Sequence, residues 1–220
     1  MRKIVYGTLS VAFLVASMTS CAKSTKGKMA NEWKVVSYQA TDKNVQTNGD
    51  QSASTVTMTE TSITITDENT PNGGSTTVDT KTGSVSTHDL TIKKDGTWTW
   101  NANYTTVENN GVTVTTNYVI NRSGSWSFVG KNKKDDFKKN ERVVFNVLSE
   151  SNTTSQTSGS VTYTSSSSDT YMTGEYPMLF TVKESKGKSL ELESEGANTS
   201  TYNSQTSTYN NTLSIKLEQK

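Results

Sequence analysis

The feature that most constrains this chain is the alternation of apolar residues with Thr, Ser or charged residues in short runs. Successive side chains of a β-strand point to opposite faces, so this alternation predicts strands with one buried face. Val56 and Met58 follow the pattern, as do Ile63 and Ile65. The phase changes between the two pairs, which predicts a bulge or turn near Glu60.

The clearest hairpin signal is Asp95-Gly96, which separates two alternating runs. Asp and Gly tolerate the positive φ angles of a tight turn, so the two runs are predicted to pair as antiparallel neighbours. Residues two apart on the second strand share one face, and on this strand they are Trp98, Trp100, Ala102 and Tyr104.

The whole pattern contains about ten such runs and no clear helix. Apolar residues make up only 30% of the chain, but its β-branched and aromatic residues and small net charge argue against disorder. Strands joined by tight turns favour an antiparallel up-and-down meander, and closure removes the exposed edges of such a sheet. The sequence therefore predicts an all-β meander closed into a barrel of about 8–10 strands. The Ser/Thr-rich residues 150–170 are either a long polar hairpin or a mobile loop.

The N-terminus has the form of an export signal, because Arg2 and Lys3 precede an apolar stretch over residues 11–16. That stretch is far shorter than the ~20 residues that a helix needs to cross a bilayer. Met18-Thr19-Ser20-Cys21 resembles the lipobox of bacterial lipoproteins, in which small residues precede an obligatory Cys. The resemblance implies that Cys21 becomes the N-terminus and carries acyl chains that attach it to a membrane.

Three segments follow from this interpretation: a signal peptide over 1–20, the lipidated Cys21 with a flexible tether to residue 31, and a barrel domain over 32–220. The tether is predicted because residues 22–31 mix Lys with small residues and lack periodicity. Ala22 stands where some inner-membrane lipoproteins carry Asp. We therefore expect an outer-membrane location in the cell envelope, with the periplasmic and surface faces both open.

Charge and cysteine content exclude several classes of partner. Without residues 1–20 the chain loses Arg2 and Lys3, which leaves 20 basic and 21 acidic residues and a net charge of −1. This balance gives no electrostatic basis for nucleic-acid binding. Cys21 is the only cysteine, so internal disulfides are excluded and a zinc site has too few ligands. We expect a monomer without metal or cofactor.

Several segments resemble the lipocalin-like lipoproteins of Bacteroidota. Trp33-Lys34-Val35-Val36 is similar to the opening strand of that family. The later segments LTIKKDGTWTW, SGSWSF, ERVVFNV and LELES are similar to its Lys-Asp-Gly hairpin, Gly-x-Trp strand and late Leu-x-Leu strand. The resemblance implies a lipocalin-like barrel. Asn31 replaces the Gly that the family has two residues before its first Trp, so the large family calyx is not carried over.

Catalytic and metal-binding interpretations are weaker than structural ones. His88 is the only histidine, and Asp89 beside it should point to the opposite face of a strand. We therefore interpret His88 as a surface residue at a strand start and predict no catalytic residue. Alternating glutamates on a late strand could hold a hard cation, but a solvent-exposed face is the favoured interpretation for Glu191, Glu193 and Glu195.

The remaining candidates for function are aromatic side chains, which could line a ligand cavity or form the core. They are Trp98, Trp100, Tyr104, Trp126 and Phe128. We predict a non-enzymatic, membrane-anchored envelope lipoprotein whose barrel binds a small apolar ligand. The alternative is a structural or interaction module, without a cavity, whose Ser/Thr-rich strands contact glycan or another envelope protein.

Overall fold

The computed structural model describes residues 25–109, 111–130, 140–202 and 205–220. The predicted signal peptide and Cys21 lie outside these residues. The described chain is nearly all strand, with one short helix, α1, over Thr25–Met29. The strands are β1 Glu32–Gln46, β2 Gln51–Thr59, β3 Ser62–Thr70, β4 Thr77–Ile92, β5 Thr97–Asn109, β6 Thr113–Gly130, β7 Glu141–Ser158, β8 Val161–Thr170, β9 Pro177–Lys186, β10 Ser189–Tyr202 and β11 Gln205–Gln219.

The strands form a closed antiparallel barrel, which confirms the predicted fold class. Their order is β6-β5-β4-β3-β2-β1-β11-β10-β9-β7-β8, and an additional pairing of β6 with β7 closes a ring of ten strands. β8 is the extra strand and pairs with the second half of β7. Around the end nearest α1 the ring is narrower, because Glu32 to Lys34 of β1 pair directly with β4 and bypass the β2–β3 hairpin.

Alternation of side chains explains how so few apolar residues fill the interior. In β7, Val143, Phe145 and Val147 are all buried, and the residues between them are not. β2 ends at Thr59 and β3 begins at Ser62, so the change of phase predicted near Glu60 is a tight turn. The Ser/Thr-rich residues 150–170 belong to the β7–β8 hairpin, which decides between the two interpretations of that segment.

The segment predicted to be a flexible tether differs from that expectation from Thr25 onward. α1 packs across one end of the barrel, and Met29 is completely buried in the core. The Trp33 indole N–H donates to the Met29 carbonyl oxygen at 2.8 Å, and the Asn31 amide donates to the Lys28 carbonyl oxygen at 2.7 Å. Spacer-like composition did not reveal this, because one buried Met gives no periodic signal.

The closing seam between β6 and β7 requires a glycine. The pairing shifts register between Ser123 and Gly124, and a Cβ built on Gly124 would collide with the carbonyl oxygen of Asn146. The same carbonyl oxygen accepts a 3.2 Å hydrogen bond from the buried Trp98 indole N–H. Only a residue without a side chain lets the two strands approach while Trp98 keeps this contact.

Replacement of Gly124 by Ala is therefore expected to destabilise the barrel by about 3 kcal/mol, because the added methyl group must push Asn146 away. Urea denaturation followed by tryptophan fluorescence measures this change in the free energy of unfolding. Ser127→Ala, on the same strand at an exposed position, is the matched control and should change it by less than about 0.5 kcal/mol. Equal stabilities for the two variants would contradict the steric argument.

Candidate functional site

A cavity of about 160 Å³ lies inside the barrel, next to the packed core. Its apolar wall comes from core residues such as Leu90, Trp98 and Phe145. Its polar groups come from Tyr38, His88, Tyr104 and Arg122. The cavity is therefore an apolar space into which a few polar side chains converge, the usual composition of a small-molecule site.

Three of the five aromatic residues predicted to bind a ligand line this cavity. They are Trp98, Trp100 and Tyr104, and Ala102 joins them because all four project from the same face of β5. Trp126 and Phe128 do not line it. Trp126 instead donates its indole N–H to the Lys93 carbonyl oxygen at 2.8 Å and belongs to the core, against which Phe128 packs.

Trp98 is part of the core as well as of the cavity wall. It is 1% exposed, its ring meets that of Phe145 edge-on with centroids 5.2 Å apart, and its N–H bonds the Ser125 and Asn146 carbonyl oxygens. Because the indole N–H is already used, Trp98 offers a ligand only apolar surface. Trp100 is less completely packed and is the more available ring of the pair.

His88 is not the surface residue that the sequence suggested. It is 4% exposed and lines the cavity. It is in phase with Leu90 and Ile92, which are both buried. The spacing of His88, Leu90 and Ile92 two residues apart could have predicted that His88 is buried. The charged Asp89 beside it led instead to the interpretation of a surface residue. Asp89 points away as expected and accepts a 2.6 Å bond from the Lys220 ammonium group.

His88 lies within a cluster of three rings. Its centroid is 5.0 Å from that of Trp100 and 5.4 Å from that of Tyr38, and the Tyr38 and Trp100 centroids are 6.2 Å apart. Nδ1 of His88 is buried without a hydrogen-bond partner. Burial lowers the pKa of His88 to about 4, although the Asp89 charge opposes the shift. The imidazole is therefore neutral near pH 7.

An ion pair lies beside the cavity on the closing strands. The Arg122 guanidinium donates to Glu150 Oε1 at 3.0 Å, and the Asn152 amide donates to the same oxygen at 2.9 Å. Burial acts to raise the pKa of Glu150, but these hydrogen bonds outweigh it and the pKa is lowered. Arg122 is thus neutralised by a fixed anion, while its Nε is buried without a partner.

Two of the three glutamates considered as cation ligands, Glu191 and Glu193, form ion pairs with lysines. The Lys183 ammonium group is 2.7 Å from a Glu193 carboxylate oxygen, and that of Lys216 is 3.6 Å from Glu191. In the described part of the chain, no group of three or more His, Cys, Asp or Glu residues is placed to hold a metal ion.

A larger trough of about 810 Å³ lies among the polar strand ends of β1–β4, β10 and β11. Its walls are mainly Asn, Asp, Ser and Thr, with Tyr209 as its aromatic residue. The trough is polar and the more open of the two, so we regard the smaller, largely apolar cavity as the better candidate site despite its volume.

Comparison with known proteins adds no assignment. No protein-family model matches the chain, no curated protein is detectably similar in sequence, and no solved structure matches it. Of the helices in the described ranges, none has the length and apolar character that crossing a membrane would require. The candidate function therefore depends on the geometry of the barrel interior and on the sequence of the N-terminus.

The buried His88 predicts a pH dependence of stability. An unfolded chain protonates His88 below about pH 6.5, whereas the folded barrel resists protonation down to about pH 4. The free energy of unfolding should therefore fall as the pH is lowered through this window, by about 3 kcal/mol in all. Urea titrations of the wild type and of His88→Phe between pH 7 and about pH 4 measure this contribution as the difference between the two curves. If the free energy of unfolding changes with pH by the same amount in the two proteins, this contribution of His88 is contradicted.

Proposed function

We propose that this protein is a lipid-anchored lipoprotein of the cell envelope that binds a small apolar molecule inside its barrel and catalyses no reaction. The observation that carries the proposal is the largely apolar cavity inside the barrel, bordered by Trp98 and Trp100. A solidly packed interior would instead have favoured a structural role.

The size of the cavity limits the ligand. An apolar cavity of ~150 Å³ accommodates a molecule the size of benzene, whereas drug-sized ligands occupy ~300 Å³ or more. At about 160 Å³, this cavity suits a single ring or a short branched chain. This volume favours such a ligand over the acyl chain of a fatty acid, which would need the larger calyx of lipocalin-like barrels.

Binding is better supported than catalysis. A nucleophile activated by His88 would need a Ser or Thr hydroxyl in the cavity wall, and no Ser or Thr belongs to the wall formed by the described residues. Asp89, which could orient the imidazole, is on the opposite face and bound to Lys220. His88 therefore has neither the nucleophile nor the orienting carboxylate of a catalytic triad.

The anchoring part of the proposal comes from the sequence. Met18-Thr19-Ser20-Cys21 at the end of an apolar stretch supports acylation of Cys21, and two or more acyl chains hold a protein stably on a membrane. The chain between Cys21 and the first described residue, Thr25, is short. Anchoring would thus place the α1 end of the barrel near the membrane surface, in our proposal the outer membrane.

A second candidate function is contact with glycan or another envelope protein through polar strands. All ten residues of β8 are exposed, and β8 pairs only with β7 among the described strands. An unpaired strand edge and the Asn- and Asp-rich trough are both surfaces that such partners can use. Retention on polysaccharide by a variant whose cavity has been filled would favour this candidate over small-ligand binding.

The cavity proposal predicts that benzene stabilises the protein. A ligand that binds only the folded state at 100 times its Kd raises the free energy of unfolding by about 2.7 kcal/mol. Thermal denaturation with and without benzene measures this effect. Ala102→Leu, which places a larger side chain in the cavity wall, should remove the response while the variant remains folded by circular dichroism. If benzene does not raise the thermal stability of the wild-type protein, the proposal is refuted.

The anchoring proposal predicts that Cys21→Ser moves the protein from the membrane fraction to the soluble fraction of the cell, because serine cannot form the thioether to diacylglycerol. Mass spectrometry of the N-terminal peptide should show acyl chains on the wild type and none on the variant. Lys23→Ser, a neighbouring substitution, should leave both results unchanged. Membrane retention of Cys21→Ser after an alkaline carbonate wash would contradict lipid anchoring.

A further inference from the structure

Lysines collect at the α1 end of the barrel. Three segments meet there: α1, residues 93–96 between β4 and β5, and residues 186–188 between β9 and β10. Lys28 Nζ donates to the Ser185 carbonyl oxygen at 3.5 Å, which joins α1 to the end of β9. The Ile92 N–H donates to the Asn31 carbonyl oxygen at 2.9 Å, which joins the residues after α1 to the end of β4. The lysines of the three segments are Lys26, Lys28, Lys93, Lys94, Lys186 and Lys188.

The positive charge of these lysines is largely unneutralised. All except the half-buried Lys28 are exposed, and within the described residues none of the six forms an ion pair. Asp95 is the only acidic residue of the three segments. The strand ends behind them add Arg142 and four glutamates, so this end stays positive and the excess lies in its outermost segments. The glutamates are Glu32, Glu141, Glu184 and Glu218.

The opposite end of the barrel carries the reverse charge. The trough lies there, among the far ends of the strands, and its charged residues in the described chain are Asp42, Lys43, Asp67, Glu68 and Asp79. β1 runs from one end towards the other over 15 residues, and a strand rises ~3.3 Å per residue, so the two ends lie tens of ångströms apart. A chain whose charges almost balance is thus polarised along the barrel axis.

A short tether keeps the basic end close to the membrane in our anchoring proposal. Thr25 follows Cys21 by four residues, and a chain spans at most ~3.5 Å per residue, so α1 begins within ~14 Å of the acylated residue. The Debye length at physiological ionic strength is ~8 Å, so charges at this end interact with lipid headgroups and those of the distant trough are screened. Lysines near an anionic bilayer are attracted to it and add to the hold of acyl chains.

We propose that the α1 end of the barrel docks, through its six lysines, on anionic phospholipid headgroups of the membrane to which Cys21 is attached. The trough then faces away from the bilayer. This inference rests on the proposed anchoring and adds the class of lipid and the orientation of the barrel. The acyl chains set the distance of the protein from the membrane, and the lysines set which end of the barrel contacts it.

Vesicle binding without acyl chains tests the lysines separately from the anchor. Residues 21–220 with Cys21→Ser contain every described residue and carry no lipid. This chain should co-sediment with vesicles of phosphatidylcholine containing one third phosphatidylglycerol, and far less with pure phosphatidylcholine. Lys93→Gln and Lys94→Gln should each lower the partition coefficient about fivefold. Lys43→Gln removes the same charge from the opposite end and should lower it by less than about twofold.

Deuterium uptake by the full-length lipidated protein in nanodiscs measures the orientation. Residues 93–96 and 186–188 should exchange more slowly in nanodiscs that contain phosphatidylglycerol than in pure phosphatidylcholine, because headgroup contact shields their amides. Residues 71–76, which connect β3 and β4 at the opposite end, should exchange equally in both.

The outcomes separate this inference from the anchoring. Equal binding of the unacylated chain to both kinds of vesicle, or equal losses for Lys94→Gln and Lys43→Gln, would overturn the role of the lysines and leave the anchor intact. If heparin binds the unacylated chain but phosphatidylglycerol does not slow exchange in nanodiscs, the basic end takes a soluble polyanion and the membrane contact is refuted. Alkaline carbonate removes proteins held by charge alone, so the fractionation of full-length Cys21→Ser still reports on the acyl anchor by itself.

Discussion

The structure depends on the pairing of β6 with β7, which turns a long meander into a closed barrel. This seam runs from Val114 to Gly130, and without it two long strands would expose unpaired backbone groups. Closure also creates an interior that the chain must fill with few apolar residues. Gly124 permits the close approach of the strands, and Arg122 with Glu150 forms an ion pair across the same seam. The interaction that closes the fold therefore also contributes one wall of the cavity.

The shortage of apolar side chains explains where the cavity lies. Near α1 the barrel is narrow, and buried aromatic side chains such as Trp33, Trp98 and Phe145 pack its interior. Farther along, the β2–β3 hairpin enters the ring between β1 and β4 and widens it. Smaller and more polar side chains take over there. The unfilled space forms at the boundary between the two regions, where an apolar wall meets His88 and Arg122.

Much of the fold could be predicted because its signals are local. The Asp95-Gly96 turn, with Gly96 at a φ of 88°, and the shared face of Trp98, Trp100 and Tyr104 depend only on residues near in sequence. His88 was misplaced, and the choice between core and cavity for Trp126 stayed open, because the surroundings of both residues come from distant strands. Trp126 is fixed by the Lys93 carbonyl oxygen, and the cavity position of His88 depends on Tyr38 of β1. Met29 was missed because its burial is decided by where α1 packs.

The sequence by itself determined that this chain forms antiparallel strands and which residues of a strand share a face. These properties follow from alternation, turn chemistry and spacing along the chain. Only the tertiary structure decided which of two faces is enclosed, how much space the enclosed rings leave and which polar atoms remain unpaired. Those properties depend on closure and on the packing of side chains far apart in sequence. A cavity is the space between strands, so no single strand encodes its shape.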